Sequence, residues 1–116
     1  MKPLVHAKLS VIKFGGTLDD YIDVHEFLDS SKAHIPDMRH RAILHSSFGI
    51  YIAQELFGVY RINSDGNEYS IRDICENHVI EDLGFIPTVN NWFEEFAPQP
   101  WMSGLPKGFK KMEMVH

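Results

Sequence analysis

The stretch DMRHRAILHSSFGIYIAQELFG, residues 37–58, decides how the rest of the chain is read. Pro36 stands before it, suited to a first helical turn, and Gly58 closes it as a natural stop. The spacing predicts one central helix from Pro36 to about Phe57, the longest element of the fold. At 100° per residue, Leu44, Phe48, Ile52 and Leu56 form its main apolar arc. Asp37, Arg41, His45 and Glu55 fall on that same arc, while Ile43 and Ile50 lie opposite. A helix covered on all sides cannot send all these polar groups to water, so they must find partners inside.

Outward from this segment the chain punctuates itself clearly. PLVHAKLSVIKFGG opens on Pro3 and stops at Gly15 and Gly16, a first helix. TLDDYIDVHEFLDSSK follows as a second, with Thr17 as cap and Asp19 and Asp20 in its first turn. After the central helix, two short β-prone runs flank Asn63-Ser64-Asp65-Gly66 and read as a small hairpin. Ser70 caps a fourth helix, IRDICENHVIEDL, stopped at Gly84, and Thr88 caps a short fifth, VNNWFEEF. The expected fold is mainly α: a compact domain of about five helices with one small β-hairpin. Residues 1–96 make that single domain, and 97–116 an irregular tail packed on or extending from it, with Trp101 pinning it to the body.

Bulk properties narrow the function. A chain of 116 residues is one domain with its own core. Its net charge of −5 gives no broad basic surface for a nucleic-acid backbone or an anionic membrane. The lone Cys75 allows no internal disulfide and has no cationic neighbour to activate it. The opening MKPLVHAKLSVIKF lacks the apolar core of a signal peptide. No run approaches the roughly 20 apolar residues of a membrane helix. The chain reads as cytosolic.

Three helices place His and Asp where apolar residues belong. In the second, Leu18, Tyr21, Ile22 and Leu28 form the apolar face, with His25 and Asp29 at its middle. In the fourth, Ile71, Ile74, Cys75 and Val79 do so around His78 and Asp82. The two His-x-x-x-Asp pairs, HEFLD and HVIED, join His45 of the central helix. Such a pair can hydrogen-bond within itself, the Asp setting the imidazole tautomer. Three core-facing sets instead suggest a shared centre, and a divalent metal satisfies carboxylates and imidazoles together. His25, Asp29, His45, His78 and Asp82 are the expected metal ligands, Asp37 a base and Arg41 an anion-binding catalytic group. Nitrogen and oxygen donors without thiolate suit Mn, Fe, Ni or Zn. His6 shares the more polar arc of the first helix with Ser10 and Lys13 and is expected to be exposed. His40 lies at the edge of the central arc, and His34 and His116 are expected in solvent. NSDG lacks the acidic ligand spacing of an EF-hand.

The motifs HAKLS, FGG, DY, HEFLDSSK, DMRHRAILH, FG, NSDG and HVIEDLGFIPT, spanning residues 4 to about 102, resemble an uncharacterised family of small proteins in tailed phages and bacteria. The resemblance implies a phage or bacterial protein working in the cytoplasm, the host's if phage-encoded. More loosely, the chain is similar to helical HD-type metal-dependent phosphohydrolases, which gather His and Asp from several helices around metal. It departs from them in having no adjacent His-Asp dipeptide. That similarity implies hydrolysis of a phosphoester or nucleotide, with a phosphorylated small molecule as ligand. The alternative is a non-enzymatic phage protein that blocks a host protein or sequesters a nucleotide signal. Trp101 and Phe109 would then supply contacts.

Overall fold

The computed structural model describes residues 1–104. Phe109 and His116 lie outside them. The described residues are mainly helical, with five α-helices and one two-stranded antiparallel sheet. The order is α1 (Pro3–Phe14), α2 (Ile22–Leu28), α3 (Ser47–Phe57), β1 (Tyr60–Ile62), β2 (Glu68–Ser70), α4 (Ile71–Leu83) and α5 (Val89–Phe93). Short 3₁₀ turns occupy Leu18–Asp20, Ser30–Ala33, Met38–Ala42 and Pro100–Ser103.

Local chemistry accounts for most boundaries. Pro3 opens α1. The Ser70 hydroxyl accepts from Asp73 N at the start of α4, and Gly84 ends that helix in the left-handed region, φ 83°. Thr88 caps α5 by accepting from Asn91 N. The hairpin pairs Tyr60 with Ser70, Arg61 with Tyr69 and Ile62 with Glu68. Asn63 organises its turn, its side-chain oxygen accepting from Asp65 N and Asn67 N. The Asn63 amide donates to Phe14 O and Tyr21 Oη, and Arg61 forks onto Asp23, so the hairpin is fastened to α1 and α2.

The expected single helix over 36–57 is corrected. Its first part is the 3₁₀ turn Met38–Ala42, and α3 begins afresh at Ser47. Ser46 breaks the run by accepting from Gly49 N and donating to Ile43 O. Gly49 lets the turn fold tightly, because a Cβ there would overlap the Leu44 carbonyl. α3 is thereby rotated from the expected arc: Gly49, Ile50 and Ala53 are buried, whereas Phe48, Leu56 and Glu55 are exposed. The core is Tyr21, Val24, Leu28, Ile50, Ala53, Ile71, Ile74, Cys75 and Val79, with Ala7 and Tyr69. Trp101 is 65% exposed and does not pin the tail to this core.

Candidate metal centre

The polar centre lies where α1, α2, α4 and the 37–46 segment meet. α2 supplies His25 and, at its C-terminal cap, Asp29. α4 supplies His78 and Asp82 one turn apart. His45 comes from the bend before α3, held there by its amide donating to Arg41 O and by Trp92 Nε1 donating to its carbonyl. His25, His45 and His78 are fully buried. The Asp29 and Asp82 side chains are 7% and 1% exposed.

Four of these residues converge: Asp29, His45, His78 and Asp82. His78 Nε2 lies 3.3 Å from Asp29 Oδ1 and 3.4 Å from Asp82 Oδ2. His45 Nε2 lies 3.5 Å from Asp29 Oδ1 and 2.8 Å from Asp82 Oδ2. An ion bonded tetrahedrally to imidazole nitrogen and carboxylate oxygen sets its ligand atoms about 3.3–3.5 Å apart. Three of the four distances match that edge, and the fourth has hydrogen-bond length. The His45 and His78 rings meet at 68°, so their in-plane lone pairs can converge on one point.

His6, His25 and His78 form a second cluster, but a different one. His6 stacks on His78 with ring centroids 3.7 Å apart and planes 22° apart. His25 and His78 are also nearly parallel, at 19°. The in-plane lone pairs of the face-to-face His6 and His78 rings run side by side, and the His25 and His78 Nδ1 atoms are taken up by each other. His25 uses both nitrogens elsewhere, Nε2 on Ser10 Oγ and Nδ1 on His78 Nδ1, each at 2.8 Å. The structure therefore brings four of the five expected ligands to one point and sets His25 behind His78.

Electrostatics follow from this crowding. Burial pushes the pKa of His25 down to about 3 and that of His78 down to about 4, so both imidazoles are neutral near pH 7. Burial works against the Asp82 charge, yet the hydrogen bond with His45 and the nearby His6 and Met1 amine hold its carboxyl far below the usual range. Burial likewise opposes the Asp29 charge, and the His78 and His45 imidazoles beside it outweigh that and lower its pKa. Asp29 Oδ2 and His45 Nδ1 are buried with no hydrogen-bond partner among the described residues.

His6 overturns the expectation of exposure: it is fully buried. Its Nδ1 lies 2.6 Å from Glu81 Oε1, and its Nε2 lies 3.2 Å from Asp82 Oδ1, within ion-pair range but misdirected for a hydrogen bond. Burial opposes its charge, but Asp82 and Glu81 outweigh that and raise its pKa. The Met1 amine, 3.1 Å away, and Arg41 Nη2, 3.6 Å away, also face Asp82 Oδ1. His40 is buried too, Nδ1 donating to the Asp37 carbonyl and Nε2 3.8 Å from Asp29 Oδ1. Asp37 is not brought to the centre: its half-exposed carboxylate pairs with Arg39, not Arg41. The i,i+4 spacing that put His6 and Ser10 on one arc of α1 was legible, whereas the inward turn of that arc and the part of Glu81 were not.

The chain belongs to the DUF6915 family, described as a domain of unknown function, whose model matches residues 1–102. No curated protein and no solved structure matches it. No helix among the described residues is long and apolar enough to cross a membrane.

Proposed function

We propose that this member of the DUF6915 family binds one divalent transition metal through Asp29, His45, His78 and Asp82 and uses it to hydrolyse a phosphoester or nucleotide. The observation that carries the metal reading is the convergence of two imidazole nitrogens and two carboxylate oxygens, with three of their four nitrogen–oxygen distances at the spacing of a tetrahedral edge. Mn, Fe, Ni and Zn all accept this donor set. When bound, such an ion polarises a phosphoryl oxygen and lowers the pKa of water.

The hydrolytic part rests on Arg41. Its side chain is 22% exposed beside Asp82, its Nε is buried, and its guanidinium donates no hydrogen bond among the described residues. A planar fork of free donors at the edge of a metal centre suits the oxygens of a phosphate. The working place is the cytoplasm, as the resemblance to phage and bacterial proteins implies.

Elemental analysis of the purified chain tests the metal reading. Near one metal per chain is expected, with loss of that metal in His78→Ala. Absence of metal, together with a melting temperature indifferent to chelator and to added manganese, iron, nickel or zinc, would sink it. Metal-loaded protein should then hydrolyse a generic phosphoester, and Arg41→Gln should keep its metal while losing most of that turnover.

A second reading is a non-enzymatic protein that binds a host protein, its His/Asp centre being structural. It is favoured by apolar groups facing outward, Ile12 at 81% exposure on α1 and Trp101 in the tail. In that case Trp101→Ala should abolish capture of the partner while His78→Ala, if folded, should not.

A further inference from the structure

His25 is fully buried directly behind His78 and touches neither carboxylate of the four-residue centre within hydrogen-bond distance. The bonds around it form a chain. Ser10 Oγ donates to the His6 carbonyl at 3.2 Å, one helical turn back on α1. His25 Nε2 lies 2.8 Å from Ser10 Oγ, and His25 Nδ1 lies 2.8 Å from His78 Nδ1.

The 2.8 Å contact between His25 Nδ1 and His78 Nδ1 holds a single proton, and an imidazole that ligates a metal is neutral, so two proton arrangements satisfy the chain. The direction of the Ser10 hydroxyl selects between them. With its proton on the His6 carbonyl, Ser10 Oγ can only accept, so His25 Nε2 carries the proton. His25 Nδ1 is then a bare acceptor, and His78 Nδ1–H must donate to it. That leaves His78 Nε2 with a lone pair, aimed between Asp29 Oδ1 and Asp82 Oδ2. A bare nitrogen facing two carboxylates is unfavourable unless a cation lies between them.

We propose that Ser10 and His25 are positioning residues for a metal ligand: through α1 they fix the tautomer and orientation of His78 so that Nε2 points its lone pair at the ion. The inference rests on the metal reading above. It assigns His25 a place behind the ligand, as outer partners of metal-bound histidines commonly have.

The test titrates full-length wild type, His25→Leu, His25→Asn and Ser10→Ala with Zn²⁺ and with Co²⁺, after circular dichroism has shown which variants are folded. His25→Leu removes the acceptor for His78 Nδ1–H, and its affinity is expected to fall about 10–100-fold. At saturation it should keep the wild-type stoichiometry and the wild-type Co²⁺ visible spectrum, because no ligand is lost. His25→Asn places an amide oxygen near the Nδ1 position and should recover most of the affinity. Ser10→Ala, the milder change, should weaken binding by a smaller factor with the spectrum intact, and it serves if His25→Leu does not fold. Wild-type affinity in both His25→Leu and Ser10→Ala would overturn the inference and leave the metal reading standing. A changed Co²⁺ spectrum or lost stoichiometry in His25→Leu would overturn it by making His25 a ligand. A wild-type chain that takes up neither metal would overturn the metal reading and this inference with it.

Discussion

His6 sits on the arc of α1 that also carries Ser10 and Lys13, and this more polar arc turns inward at His6 and Ser10. The apolar Leu4, Val5 and Ile12 face out. The usual rule that a helix buries its greasy side fails because the centre it packs on is itself ionic. There Asp29, Glu81 and Asp82 need donors more than the surface needs polar cover. Titration should report this. In chelator-treated protein, His25 near 3 and His78 near 4 lie below the ordinary 6.5 of the unfolded chain. Between those values and 6.5 the unfolded state binds more protons, so stability present above pH 6.5 is lost as pH falls towards 4. His6 is shifted upward and acts oppositely, its contribution fading as pH rises above its folded value. Two downward shifts against one upward shift set the direction. The melting temperature should fall steadily from pH 6.5 to pH 4, and a flat profile there would contradict the neutral, buried state of the pair.

At the scale of elements, the decisive feature is the break inside residues 37–58. Ser46 caps α3 and is fully buried, with its hydroxyl bonded on both sides. Ser46→Ala should cost about 1–2 kcal/mol in chemical denaturation, the range for a lost cap. Gly49→Ala should cost more, upward of about 2 kcal/mol, since relieving the overlap with the Leu44 carbonyl means opening the bend that holds His45. If alanine at Gly49 proves neutral or stabilising, as it would within an ordinary helix, the tight bend is wrong. Ser46 is a residue type favoured at a helix N-cap, but it lay inside a run whose hydrophobic periodicity argued for continuity. The starts of α1, α4 and α5 and the stop of α4 were legible because Pro3, Ser70, Thr88 and Gly84 act locally, through caps and backbone freedom. The expected second helix from Thr17 instead narrows to Ile22–Leu28 between 3₁₀ turns.

For the whole molecule, the centre ties together segments far apart in the chain, from α1 through α2 and the 37–46 segment to α4. Metal that binds only the folded state should therefore stabilise the entire domain. With free metal at 100 times its dissociation constant the gain is about 2.7 kcal/mol, on the order of 10 °C in melting temperature for a domain of this size. Calorimetry with added zinc or manganese, against chelator, measures it. A shift confined to a local probe, with no change in global unfolding, would place the ion at a peripheral site instead.

The sequence by itself determined the helical class, the hairpin at Asn63 to Gly66, most element ends, and the residue types able to bind metal. These follow from caps, turn residues and side-chain periodicity, all of which act over a few residues. Tertiary structure alone decided the rest. It brought Asp29, His45, His78 and Asp82 to one point, set His25 behind His78, turned His6 and Ser10 inward, and left Asp37 outside with Arg39. Periodicity tells which residues share a face, but not which face meets which neighbour. A three-dimensional contact depends on how several helices roll against one another, and here they roll to neutralise buried charge as much as to bury apolar surface.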